Sequence, residues 1–331
     1  MNPEIQFYKW QNQDYKRLYS SIRDILNMNS LQFYMPFYSL YFYIHNKPKA
    51  NHKIDMKRNY YLKEILEITK SRYYNSNMFL KGNVYNESKN ITTECELFCK
   101  SIPILDPIHI VNNNYNLVNH NNYHLPSNYN YNTFHKINDM NNTAYIDVLC
   151  SFLFGNLTHY KKNPSFPLYY GSVNGIGDYN YDLTEDYDDI KNDRCFNENI
   201  DKGFKLEIYV SDDESSSDED NKSDSDNDNK SNSDNESVDE SDNSSIDNKN
   251  EKDSFDDCIA KLLKIPIQLL FIEKLEGTLE DLLDEDIKEE ILLSCIFQIS
   301  FALTYLQKHY EFTHNDLHIN NVMFKKTESK Y

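Results

Sequence analysis

Thr313-His-Asn-Asp-Leu-His-Ile-Asn-Asn-Val-Met-Phe324 is the stretch on which the reading of this chain turns. It places a carboxylate, Asp316, and an amide, Asn321, four intervening residues apart, a spacing that lets a short loop fold back and present both on one side. His314 and His318 stand at i and i+4, as the two histidines of a zinc helix do. In such helices a Glu follows the first His, and here Asn315 does, so the zinc reading fails. His314 is expected instead to hold the loop by packing and hydrogen bonds.

Upstream, Asp286–Tyr310 repeats apolar residues at 3.6 spacing (Ile287, Ile291, Leu292, Cys295, Ile299, Ala302, Leu303, Leu306). It is nearly apolar all round between Ile291 and Leu306, which predicts a central buried helix. Before it, Glu273–Thr278 reads as a turn and Leu279–Leu283 as a short helix. Ile265–Ile272 reads as a buried strand with Pro266 at its start.

This order, with the motif His314-Asn-Asp-Leu-His-Ile-Asn-Asn321, resembles the catalytic loop of the protein-kinase superfamily and the elements leading into it. The resemblance implies an ATP-dependent phosphotransferase, most simply a Ser/Thr protein kinase, using ATP and Mg²⁺. Asp316 would orient and deprotonate the acceptor hydroxyl, with His314 supporting the loop, and Asn321 would be a metal ligand. Glu273-Lys-Leu-Glu-Gly-Thr-Leu279 would be the hinge, with Glu273 and Leu275 meeting the adenine. Glu96-Leu-Phe-Cys-Lys100 ends a strand as the family's lysine strand does, making Lys100 the ligand of the α/β-phosphates. Asp147 falls where the regulatory helix carries its Glu, although taken alone it reads as a surface residue. The phrases CKSIPILDP, FPLYYGSVNGIG and FTHNDLHINNVMF are similar to kinase-like proteins encoded by giant DNA viruses, and the Asn-, Lys- and Ile-rich composition fits AT-rich coding.

Three departures accompany the resemblance. No G-x-G-x-x-G precedes Lys100, and Gly171-Ser-Val-Asn-Gly-Ile-Gly177 comes too late in the chain, so it reads as a turn. His318 stands where a Lys commonly follows the catalytic Asp, which keeps small-molecule hydroxyls open as acceptors beside protein hydroxyls. No D-F-G occurs in the ten residues after Asn321, so the resemblance implies a chain that stops before the activation segment. A non-catalytic kinase-like binding module is therefore the alternative function.

Elsewhere, Asn12–Leu26 predicts a helix, Tyr60–Thr69 fits either a helix or a strand, and Met78–Tyr85 and Glu96–Ile104 predict strands. Residues 111–140 read as a long loop, and Asn142 or Thr143 as the cap of a helix over Ala144–Leu157. Phe166–Tyr170 predicts a strand closed by Gly171, and 171–210 a mixture of short apolar pieces and turns.

The chain has 331 residues and a net charge of -19, of which residues 211–257 carry 19 acidic and 4 basic side chains. That stretch cannot bury enough apolar surface to offset chain entropy and is expected to be disordered. It could serve as an acidic scaffold for basic proteins. The overall balance argues against nucleic-acid binding. The apolar run Leu31–His45 is too short for a membrane span and reads as aromatic core. With no secretory signal at Met1–Trp10 and six scattered cysteines, the chain is expected to be intracellular, in the cytoplasm or, if viral, the host cytoplasm or virion. The fold class expected is α+β. An N-terminal extension (1–58) would precede a kinase-like N-lobe (59–210), the acidic insert (211–257), and the hinge strand, buried helix and catalytic loop of a partial C-lobe (258–331).

Overall fold

The computed structural model describes residues 5–6, 9–33, 54–71, 76–115, 117, 131–209, 257–285 and 287–327. Most of the run Leu31–His45, the centre of the expected loop 111–140 and nearly all of the acidic insert lie outside these residues.

In chain order the elements are β1 (Ile5–Gln6), α1 (Asn12–Leu26), β2 (Asn29–Gln32), β3 (Ile54–Asp55), β4 (Tyr60–Ser71), β5 (Met78–Asn86) and β6 (Ile91–Pro103). There follow α2 (Pro107–Val111), α3 (Tyr131–Asn138), α4 (Thr143–His159), β7 (Tyr169–Asp182), α5 (Tyr187–Ile190), α6 (Arg194–Asn199) and β8 (Phe204–Tyr209). The described chain closes with β9 (Asp257–Glu273), β10 (Gly277–Thr278), α7 (Leu279–Asp284), α8 (Glu289–Tyr310) and β11 (Met323–Phe324). The architecture is mixed α and β around one antiparallel sheet ordered β2-β7-β9-β6-β5-β4, with β8 also pairing with β9. β1 and β3 form a separate parallel pair.

Tyr60–Thr69 is a strand. Register shifts after Leu62, Ile65 and Ile68 break its alternation, so Leu62 and Lys63 are both buried and no clean period of two survives in the sequence. Tyr131–Asn138, read as loop, is the helix α3. β6 alternates as its sequence does, with Leu97, Cys99 and Ser101 buried. Asn142 caps α4 by accepting from the Ala144 N–H at 3.0 Å. Tyr145, Val148, Leu149 and Phe152 of α4 are buried in the core.

The glycine run 171–177 is not a turn. It lies inside β7, and its glycines make room for the N-terminal segment. A Cβ on Gly175 would sit 2.7 Å from Met28 Cε, and one on Gly177 2.6 Å from Met28 Sδ. Gly171 takes φ +151°, a conformation that only glycine adopts freely. β2, next to Met28, is the edge strand beside β7, so Asn29–Gln32 from the segment before residue 59 belongs to the same sheet.

β9 starts eight residues before the expected Ile265, at Asp257, because Cys258, Ile259, Ala260 and Leu262 bury completely directly after the acidic run. Pro266 therefore falls mid-strand. It is accommodated beside Lys264, at φ 52°, and a register shift opposite Gly177/Tyr179, and its carbonyl accepts from the Ile104 N–H.

β8 and β9 bring the two ends of the acidic insert together, since Tyr209 pairs with Asp257. Replacing residues 210–256 by a short hairpin turn should therefore leave the melting temperature unchanged or slightly raised, because shortening a closed loop lowers its entropy cost. A fall of more than about 5 °C, over 1 kcal/mol for a domain of this size, would show that the insert packs on the fold.

α8 departs most from expectation. Only Ala302 and Leu306 are buried, while Phe297 is 71 % and Leu293 57 % exposed. The helix docks through its C-terminal end, where Phe154 of α4 meets Tyr310 at 6.1 Å and Phe312 at 5.3 Å. Among the described residues it is the one helix long and apolar enough to cross a membrane.

Candidate functional site

Lys100 stands near the end of β6, on the side opposite the buried Leu97, Cys99 and Ser101. Asp147 rises from α4, the last of the three described helices between β6 and β7 along the chain. The two meet: Lys100 Nζ donates to Asp147 Oδ2 at 2.5 Å. Asp147 is thus an ion-pair partner, not the isolated surface carboxylate that its sequence context suggests. The side chains are 45 % and 31 % exposed, so the pair adds about 0–1 kcal/mol to stability. Its value is positional.

The β4–β5 connection is pinned beside this lysine. The Ser101 N–H donates to Asn77 Oδ1 at 2.9 Å, and the Ser101 hydroxyl to the Ser76 carbonyl at 2.8 Å. Residues 72–75 lie outside the described set, and the sequence Ser71–Asn77 holds no glycine.

Packing holds α4 in place at Gly155. A Cβ there would come within 2.8 Å of Tyr169 N and 3.1 Å of Pro167 O, both backbone atoms that cannot swing away. Gly155→Val should push the helix off the start of β7, cost about 1–3 kcal/mol, and displace Asp147 about two turns earlier. Thermal unfolding should register it. An unchanged melting temperature would mean that α4 has slack.

Asp316, His318 and Asn321 come together on the loop after α8. Asn321 Nδ2 donates to the Asp316 carbonyl at 2.9 Å and to Asp316 Oδ2 at 3.0 Å. The Asn321 N–H bonds the His318 carbonyl at 3.0 Å, closing the 3₁₀ turn Ile319–Asn321. His318 Nε2 lies 3.8 Å from Asp316 Oδ1. With its amide nitrogen committed, Asn321 retains Oδ1 as a free-facing acceptor, next to a carboxylate that is 79 % exposed. An amide oxygen of this kind could take one position around Mg²⁺, which keeps several waters and takes one or two protein ligands plus phosphate. Among the described residues no group of three His, Cys, Asp or Glu forms a metal cluster. His314 is exposed and packs edge-on against Phe312 at 6.2 Å, which ties the loop to Phe154 and so to α4.

At the end of β9, Glu273 is fully engaged. Its N–H donates to the Leu168 carbonyl, its Oε2 accepts from the Leu168 N–H at 3.1 Å, and its Oε1 pairs with Lys325. The carboxylate therefore acts as a clamp between β9, the entry to β7 and the strand after the loop. Leu275 is half-buried in the linker that follows. The Glu276 N–H donates to the Phe324 carbonyl, and the Leu279 N–H to the Val322 carbonyl, so linker and loop are stitched together. Lys325 could not be found from the sequence, since its partner lies 52 positions away. No hydrogen bond or ion pair joins Lys100 or Asp147 to Asp316 or Asn321 among the described residues. Comparison with known families, curated proteins and solved structures finds no match for this chain.

Proposed function

We propose that this chain is a kinase-like, ATP-dependent phosphotransferase, directed first at Ser/Thr hydroxyls of proteins. The observation that carries the reading is the Lys100–Asp147 pair, made between the third strand of the β4-β5-β6 meander and α4, the third and longest of the described helices between β6 and β7. Protein kinases hold their phosphate lysine on the third strand and fix it with a carboxylate from the next helix. An Asp is one methylene shorter than the usual Glu, yet it reaches Lys100 directly. The order that follows also fits: β7, then β9 inserted between β6 and β7, a short linker, two helices, and the Asp316–Asn321 loop. When bound, Mg²⁺-ATP would supply the transferable phosphoryl group. Lys100 would neutralise its α/β-phosphates, Asn321 Oδ1 would take a metal position, and Asp316 would accept the acceptor hydroxyl's proton.

His318 in place of Lys keeps a small-molecule hydroxyl as an alternative acceptor. A second reading, a nucleotide-binding module without catalysis, is favoured by the glycine-free β4–β5 connection. Calorimetric titration with MgATP tests what the two readings share. The wild-type chain should bind, and Lys100→Ala should bind about tenfold or more weakly, the worth of one charge-assisted phosphate contact. No binding by the wild type would refute both. Equal affinity in the two proteins would remove Lys100 from the site.

A further inference from the structure

Along the outer side of α8 three exposed apolar residues form a row, flanked by Ile296 and Ile291, which are also exposed. Phe297, Leu293 and Phe301 are 71 %, 57 % and 46 % exposed. At about 100° per residue they fall within one narrow stripe, opposite the buried Ala302 and Leu306. Phe297 and Phe301 stack at 6.4 Å with their planes 16° apart, and Tyr305 continues the row at 6.5 Å from Phe301. Glu290 begins the stripe and Lys308 ends it. Scattered exposed apolar residues are ordinary; a continuous row along a helix marks an interaction surface.

We propose that this stripe is the interface of a two-fold symmetric dimer, in which α8 packs antiparallel against α8 of a second copy. The stripe is self-complementary. Glu290 and Lys308 stand at equal distances along the helix on either side of Ile299, as do Phe297 and Phe301, and Leu293 and Tyr305. A two-fold axis through the stripe, at the level of residue 299 but on the face opposite the Ile299 side chain, therefore sets Glu290 against the second copy's basic end and Phe297 against its aromatic middle, each contact made twice. The helix carries Glu289 and Glu290 in its first turn and Lys308 and His309 in its last. Antiparallel packing pairs these opposite charges and opposes the helix dipoles favourably, whereas parallel packing would set like charges side by side.

A lipid occupant fits less well. A helix spanning a bilayer would carry its two ends to opposite sides, about 30 Å apart. Here β10 before it and β11 after it pair directly, Gly277 with Phe324, and its C-terminal end is tied to α4. A helix lying in the interface on this stripe would push Glu290 and Lys308 toward the acyl region. The inference is independent of the phosphotransferase reading, because it uses no residue of that site.

Sedimentation equilibrium of the full chain tests it, with circular dichroism to check that each variant folds. The wild type should be a dimer at about 10 µM, an ordinary affinity for one helix pair. Phe297→Glu, on an exposed position, should raise the dimer dissociation constant at least about tenfold. Glu290→Lys alone and Lys308→Glu alone should each raise it about tenfold, since each sets like charges together twice, and the double variant should recover most of the loss. A monomeric wild type at about 100 µM would overturn the dimer. So would a double variant no better than the singles, or a monomer that floats with phosphatidylcholine–phosphatidylserine vesicles.

Discussion

On the phosphotransferase function proposed above, Asp316→Asn should lower phosphoryl transfer from MgATP at least a hundredfold, because it removes the proposed base for the hydroxyl proton while leaving the loop intact. The substitution is nearly isosteric. Asn321 Nδ2 would still donate to the backbone carbonyl of residue 316 and to the new amide oxygen, so the two hydrogen bonds that close the loop persist. With the side chain 79 % exposed, no buried group is left without a partner. The melting temperature and MgATP affinity should therefore stay close to those of the wild type. The measurement is incorporation of γ-phosphate label into Ser/Thr-bearing proteins and, in parallel, into small-molecule alcohols. Label incorporation that survives in Asp316→Asn would remove this residue from the chemistry. Binding without transfer in either protein would favour the binding module.

Leu97→Ala should cost about 2–5 kcal/mol, since a fully buried leucine leaves a cavity that its neighbours fill only in part. Leu97 sits mid-sheet, paired with Leu80 on β5 and with Glu273 on β9, and a Cβ on Gly82 would touch its Cδ2 at 3.0 Å. Rigid backbone on both sides limits collapse. At about 2–4 °C per kcal/mol, the melting temperature should fall by roughly 10 °C. Ile91→Ala on the same strand, 54 % exposed, is the control and should change stability by less than about 0.5 kcal/mol. Similar effects at the two positions would contradict the placement of the core. Leu97 lies three residues before Lys100 and opposite the Glu273 clamp, so its loss should also loosen both ends of the site.

The Asp316–Asn321 pairing could be read directly in the sequence, because a spacing of four residues closes through local hydrogen bonds. α4 and its cap, at Asn142 or Thr143, were legible for the same reason, as were β5 and the alternation of Leu97, Cys99 and Ser101 in β6. β4 was ambiguous because its register shifts erase the period on which a strand is recognised. The glycines of β7 suggested a turn, since nothing local announces that Met28, far away in the chain, will occupy the space above them.

What the sequence determined by itself is therefore what short-range geometry decides: helix caps, alternating strands, an acidic stretch with almost nothing to bury, and a loop that returns on itself. What only the tertiary structure decided are the pairings across distance. Lys100 finds Asp147 because the sheet and α4 bring together residues 47 positions apart, and Glu273 finds Lys325 across 52. The exposure of α8 belongs here too. Its apolar residues run nearly all round, and such a pattern states only how much surface wants burial. Which face is covered depends on the neighbours, and Phe154 holds only the C-terminal end of the helix against the core.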